Sequence, residues 1–348
     1  MSAPDDSPDR PAAALITHDH GDFLDSLEAG LRRNGLGFAA PAVIRFLALF
    51  TGRGAVIALP YLFLLAFFLI PFFIVLKISF AETALAIPPY TQLIEIVDDG
   101  FEYYLNLKLN LANYWTIFTE DTYVRAYLNS AKIAAISTAL CLLIGFPMAY
   151  AMARASESIR PTLLMLVILP FWTSFLIRVY AWIVILKTEG GLLNTFLISI
   201  GVLSPDDPLR ILNTEWAMYI GIVYSYLPFM VLPLYANLER MDLTLLEAAA
   251  DLGCRPIKAF WVVTVPLAIP GIIAGCFLVF IPAVGEYVIP ELMSGDNVRV
   301  IGRKLFTDFA SERNWPLAAA VSVILLLILV IPIMAFQRQQ ARLQEAGR

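Results

Sequence analysis

The side chains able to do chemistry are few in this sequence and widely scattered. Its two histidines, His18 and His20, both stand in a polar N-terminal stretch, so no acid–base or nucleophilic triad can be assembled around them. The three cysteines, Cys141, Cys254 and Cys276, are far apart and two fall inside apolar runs, a spacing that suggests neither a disulfide framework nor a zinc site. The nearest approach to a phosphate loop runs from Gly295 to Lys304. There six residues separate the two glycines, and neither Ser nor Thr follows the lysine, so the spacing that cradles a nucleotide is not met. No catalytic residue and no metal-ligand set is expected, and any ATP that drives this protein must be bound by another chain. What remains is an acid inside an apolar run, Glu286, and a short polar helix pattern at 244–258.

The elements that must position these residues are membrane spans. Hydrophobic residues make up 59% of the chain and charged residues only 15%, and the apolar residues come in long uninterrupted runs. Six runs are long enough to cross roughly 30 Å of hydrocarbon at about 1.5 Å per residue: 55–78, 127–153, 163–186, 216–238, 268–290 and 316–336. The expected fold is an all-α polytopic membrane protein of six transmembrane helices. Prolines interrupt every run, which a bundle tolerates where neighbouring helices or a cavity satisfy the freed carbonyls. Gly271 and Gly275 form a small-xxx-small pair suited to close helix packing.

Orientation follows the Lys and Arg near the span ends. Arg45 and Arg53 precede the first span, Arg154 and Arg160 follow the second, Arg240, Arg255 and Lys258 follow the fourth, and Arg338, Arg342 and Arg348 follow the last. This places both termini inside the cell, with the loop at 79–125, rich in acids, outside. Arg299, Arg303, Lys304 and Arg313, between spans five and six, break the rule. The tail at 1–54 has no secretory pattern. Phe23, Leu24, Leu27 and Leu31 recur at helical spacing there, which fits an interfacial helix and fits an unstructured tail equally. The net charge of −5 carries no basic block, so nucleic acid is not an expected partner.

The loop at 239–267, between spans four and five, reads as two short helices lying flat on the cytoplasmic side. Thr244 with Glu247 three residues later matches a capping box, Gly253 is placed to end the first helix in a left-handed conformation, and Pro256 can open the second. Here Glu247, Ala248, Ala249, Gly253 and, nine residues on, Val263, Val265 and Pro266 resemble the EAA motif of ABC importer permeases, with valines where Ile and Leu are usual. Glu247 and Gly253 also have plain structural readings, as a cap and a helix stop. Further stretches, including Leu169-Pro-Phe-Trp-Thr-Ser and Phe280-Ile-Pro-Ala-Val-Gly-Glu-Tyr-Val-Ile-Pro-Glu, look like the polyamine permeases of that family. Ile87-Pro-Pro-Tyr-Thr-Gln is similar to the putrescine member more than to the spermidine one.

The resemblance implies a type I, MetI-like permease fold over 124–336, with a cytoplasmic tail at 337–348, in a bacterial inner membrane. It implies Glu247, Ala248, Ala249, Asp251, Gly253 and Pro266 as residues coupling to an ATPase. It also implies a second homologous permease, two ATP-binding subunits that carry ATP and Mg, and a periplasmic substrate-binding protein. This chain would bind no cofactor itself. The expected cargo is a polyamine, with putrescine favoured over spermidine or another small solute.

A diammonium substrate needs carboxylates, carbonyls or aromatic faces along its route. Glu286 is the acid inside a predicted span, and Tyr287, Trp172, Tyr180, Tyr224 and Tyr226 are the aromatics expected along that route. The bland reading of Glu286 is an ion pair with Lys132, Arg178 or the basic stretch at 299–304. Phe171, Phe175, Arg178 and Trp182 share one helical face, where Arg178 is expected to pair structurally. An ion-coupled secondary transporter is the competing class, and it would need more membrane acids than Glu286.

Overall fold

In lipid an apolar run must close its own backbone hydrogen bonds, and helices dominate the computed structural model, which describes residues 53–98, 103–295 and 298–346. The interfacial helix considered for the N-terminal tail lies outside these residues. The chain divides between Lys77 and Ile78 into two compact units. The described part of the first is nearly all of α1, which runs from Arg53–Leu64 through a π turn at Leu65–Leu69 into Ile70–Ser79. Phe63 and Phe67, four residues apart, bring their rings to 4.7 Å.

The second unit begins with the loop at 79–125, which is not irregular. It carries an antiparallel hairpin of β1 (Ile94–Asp98) and β2 (Tyr103–Leu107), with Ile94 opposite Leu107, followed by the helix α2 (Ala112–Thr119). The all-α expectation is corrected there. The hairpin's alternating β-branched and aromatic sequence is the kind that favours strands. Beyond it come α3 (Asp121–Arg154), α4 (Arg160–Trp172), α5 (Phe175–Leu186), α6 (Leu192–Ser199), α7 (Glu215–Glu239), α8 (Thr244–Asp251) and α9 (Pro256–Val284). Last are α10 (Val288–Met293), α11 (Ile301–Phe306) and α12 (Trp315–Ala346).

Among the described residues four helices are long and apolar enough to cross a membrane: α1, α3, α7 and α9. A fifth apolar stretch is sharply bent, as a broken span or a re-entrant loop would be. α4 and α5 meet at an angle of 91°, because Pro170 lacks an N–H and Thr173 turns both its amide (3.3 Å) and its hydroxyl (2.8 Å) back to the Pro170 carbonyl. α12 contributes the shorter apolar stretch Trp315–Ile331. The fifth predicted run is displaced. Its helix starts at Pro256, well before residue 268, and stops at Val284, so Glu286 lies in a break between α9 and α10 and not inside a span.

Helices α3, α7 and α9 form the core of the second unit, with Cys141, Ala149, Met230, Val231, Leu234, Ala268 and Val279 buried between them. The Gly271 and Gly275 pair does what its spacing suggests. A Cβ on Gly271 would lie 3.1 Å from the Pro233 carbonyl, and one on Gly275 would lie 2.7 Å from Met230 Sδ and 3.1 Å from the Met230 carbonyl. Leucine at 275 must therefore push α7 and α9 apart. Overpacking of that kind costs about 3 kcal/mol, and a thermal-shift measurement on the purified subunit is expected to show a fall of several degrees.

The loops gather at two ends. At one, Arg160 of α4 meets Glu239 of α7 (3.6 Å), which also accepts from the Tyr235 hydroxyl at 2.7 Å. At the other, the Ile301 amide donates to Ser130 Oγ (2.8 Å), the Asn213 amide donates to the Met293 carbonyl (3.0 Å), and Asn314 accepts from Thr83 (2.7 Å).

This second end holds the basic residues that broke the charge rule, and two of them are neutralised. Arg303 Nε lies 2.7 Å from Glu291. Lys304 Nζ lies 2.6 Å from the fully buried Asp308 and 3.5 Å from Glu312, and Tyr123 donates to Asp308 at 2.9 Å. Burial works against the Lys304 ammonium, but the hydrogen bond and charge of Asp308, with Glu312, outweigh it and hold its pKa above the ordinary lysine value. Asp308→Asn removes the partner charge from a lysine that is itself mostly buried. A loss of about 2 kcal/mol or more is expected, readable as a lower melting temperature.

Candidate coupling and translocation site

The first candidate site is α8 with its flanks. The carboxylate of Asp242 accepts from the Thr244 amide at 3.0 Å, and no side chain caps the helix from Thr244 itself. The Thr244 and Glu247 capping box is thus corrected: Asp242, two residues upstream, takes the first free amide, a role aspartate fills as well as threonine. The end of α8 is as read. Gly253 has φ +76°, its amide bonds to the Ala250 carbonyl (2.8 Å), and the Cys254 amide bonds to the Ala249 carbonyl (2.9 Å). These two bonds make a Schellman stop.

Pro256 then opens α9. The expected second short helix is in fact the first part of a span, since α9 continues unbroken to Val284 through a π turn at Phe260–Thr264. Phe260 in that turn meets Phe146 (5.5 Å) and Tyr150 (5.7 Å) of α3 edge-on.

Glu247, Ala248, Asp251 and Gly253 are exposed, and Ala249 is half-buried. Leu243, Leu252, Ile257 and Trp261 add an apolar surface that this chain leaves open. Pro266 does not join them, standing about 15 Å along α9 from its start at the helical rise.

The second candidate site is the break after α9. Glu286 Oε2 accepts the Tyr226 hydroxyl, and Oε1 accepts the amides of Val288 (2.9 Å) and Ile289 (3.3 Å). The ion pair of the bland reading, with Lys132, Arg178 or the 299–304 stretch, does not form. Among the described residues this carboxylate has hydrogen bonds but no countercharge. Arg178, expected to pair, has no ionic partner there either. Its guanidinium lies 5.7 Å from the Phe171 ring and 5.8 Å from that of Phe175, and Nε and Nη1 are buried without hydrogen bonds.

Of the aromatics named from the sequence, only Tyr226 touches Glu286. Tyr287 follows it in the chain but stacks on Phe306 at 4.4 Å. Tyr224 points to another face of α7, meeting Trp182 at 5.4 Å and lining an apolar groove of about 370 Å³ with Trp216 and Tyr219. Trp172 and Tyr180 are exposed and make no side-chain bond or ring contact among the described residues. One residue escaped the sequence reading. A Cβ on Gly302 would lie 2.6 Å from the Glu286 carbonyl and 2.7 Å from that of Gly285, so only glycine lets α11 press on the break.

Four apolar helices long enough to cross a membrane, a bent fifth apolar stretch and an exposed glycine-stopped helix mark a multi-span membrane protein. Residues 141–343 match the family model described as the binding-protein-dependent transport system inner membrane component. The chain belongs to that family and is an inner-membrane protein.

It is 41% identical, over 81% of its own length and 92% of the relative's, to the spermidine/putrescine transport system permease protein PotB of Haemophilus influenzae. It is 32% identical to the inner membrane ABC transporter permease protein YdcU of Escherichia coli, over 67% of this chain and 77% of that one. Its fold is shared with a chain of a bacterial ABC transporter that imports the acidic polysaccharide alginate. That match has a TM-score of 0.57 and 16% identity, and it covers 91% of this chain and 99% of the other.

Proposed function

We propose that this chain is the membrane-spanning subunit of an ATP-driven polyamine importer, with putrescine as its preferred cargo. The observation that carries the cargo is Glu286, a carboxylate beside the spans with no cation against it among the described residues, in a chain similar to a spermidine/putrescine permease across nearly the whole of that protein. A carboxylate beside apolar spans with no countercharge is the kind of group that marks a cation's route. The finer choice of putrescine rests on the Ile87-Pro-Pro-Tyr-Thr-Gln resemblance.

In this reading six spans cross with both ends in the cytoplasm. Arg303 and Lys304 have acidic partners in their own cluster, and the orientation rests on the cations beside the other spans. A second homologous permease completes the pathway, and two ATP-binding subunits dock on Glu247, Ala248, Ala249, Asp251 and Gly253, with Pro266 further along the span. The transport cycle is alternating access. Closure of the ATPases moves α8 and α9, the cavity opens outward, and a periplasmic binding protein delivers the polyamine to the Glu286 and Tyr226 pair, with Tyr287, Trp172, Tyr180 and Tyr224 along the route. ATP and Mg stay on the partners.

The test is uptake of radiolabelled putrescine into cells carrying the complete system, with unlabelled spermidine as competitor. Saturable, ATP-dependent uptake that putrescine inhibits better than spermidine is the expected result. Preference for spermidine would overturn the choice of cargo, and uptake by this chain alone without ATP would overturn the transporter class.

A further inference from the structure

From Pro161 to Leu186 the sequence has one charged residue, Arg178. Its guanidinium straddles the bend between α4 and α5, resting on Phe171 before the bend and on Phe175 after it. Nε and Nη1 are buried there without partners, whereas Nη2 is neither buried nor bonded among the described residues. Beside it, Ile177, Tyr180, Ala181 and Val184 recur at helical spacing and form an exposed stripe along α5. The open edge of the guanidinium thus borders an apolar surface that this chain leaves uncovered.

Its depth follows from the ring beneath it. Phe171 meets Phe229 at 5.0 Å, and Phe229 stands ten residues from Glu239 and fourteen from Glu215, near the middle of α7. Lipid is a poor cover at that level, because a cation at the centre of a span is costly and one held on two rings does not reach the headgroups. The cargo's route is a poor cover as well, since a bare cation repels an ammonium; this step rests on the polyamine reading. What remains is protein. A second copy of this chain docked by the same face about a two-fold axis would bring up another Arg178, and Glu286, the acid of its predicted spans, is already held by Tyr226.

We propose that the α5 stripe meets the second permease, and that the second permease carries, at mid-depth in one of its spans, a carboxylate that closes on Arg178 Nη2. Arginine and aromatic side chains set in an apolar patch are the residues that dominate protein interfaces. A charge pair completed only in the assembly also makes each permease choose the other over its own copy. The readout is assembly and not transport, so it can fail while the cargo reading stands, and the reverse.

The test co-expresses the full-length chain with the second permease and the ATP-binding subunits. Ile177 and Tyr180 are each replaced by the photo-reactive p-benzoylphenylalanine, and the adducts formed in membranes under ultraviolet light are identified by mass spectrometry. A cross-link to a span of the second permease is the expected result. Adducts with a second copy of this chain, or with lipid only, would overturn the proposal. Arg178→Met keeps an apolar chain against Phe171 and Phe175 and drops the charge, leaving the partner's acid buried and unpaired. The amount of second permease recovered with this chain is expected to fall several-fold, and exchanging the span acid nearest the cross-link for its amide is expected to restore it. Unchanged recovery with Arg178→Met, or a loss that no such exchange restores, would overturn the charge pair. A melting temperature of this chain alone that drops by many degrees with Arg178→Met would make the residue a brace of the bend and overturn it as well.

Discussion

Glu247→Arg is expected to bring uptake down to background while the subunit stays in the membrane at its normal level. Glu247 is exposed and has no side-chain partner among the described residues, so the substitution should change folding stability by no more than about 0.5 kcal/mol. Any large loss must then arise at a surface that another subunit covers.

Gly253 separates the shape of the turn from the docking surface. At φ +76°, with nothing within 4 Å of an added Cβ, a side chain there meets only backbone strain. Asn tolerates this conformation and Val does not, so Gly253→Asn should keep most uptake while Gly253→Val, strained by about 1–2 kcal/mol, should lose most of it. Transport assays paired with quantification of the membrane-inserted chain check both. Normal uptake by the Glu247→Arg variant would remove the coupling role.

The second large effect is expected at Glu286. Gln keeps an oxygen for the Val288 and Ile289 amides and a polar group for Tyr226, so α10 should hold its place while the charge disappears. One lost ionic contact of about 1.4 kcal/mol is a tenfold change in affinity, and the expected fall in diamine uptake is at least that. Tyr226→Phe, which keeps the carboxylate and removes one donor, should fall less. The melting temperature of the complex should stay within a couple of degrees for both. Undiminished uptake by Glu286→Gln would remove this carboxylate from the pathway.

What could be read in the sequence was what local chemistry decides alone. A glycine at the end of an alanine-rich helix, followed two residues later by arginine and then proline, leaves the chain little choice but to stop at Gly253 and restart at Pro256. The start of α8 was not so clear, because Asp242 and Thr244 both suit a helix cap and only the folded backbone selects between them. Prolines interrupt every apolar run, so Pro170 could not be singled out as the one that bends a span by 91°.

Hydropathy also carries straight through Gly285 and hides the break that takes Glu286 out of its helix. The tyrosine partners of Glu286 and Asp308 lie 60 and 185 residues away. Those pairings depend on how α3, α7 and α11 come together, which no window of sequence contains. Gly302 looked like any loop glycine until its neighbour proved to be the Glu286 carbonyl.

Because α9 begins in the loop that α8 opens and ends one residue before the Glu286 break, the two candidate sites are the two tips of one lever. Its 29 residues span about 43 Å at the helical rise, and the edge-on rings of Phe146 and Tyr150 grip it one turn from the lower tip. Gly271 and Gly275 hold its middle against α7, so a displacement at Pro256 reaches Val284 only if α9 slides along that helix or carries it with it. Tyr226 stands on α7, so in the proposed cycle a slide of α9 along that helix would draw its hydroxyl and the Glu286 carboxylate apart.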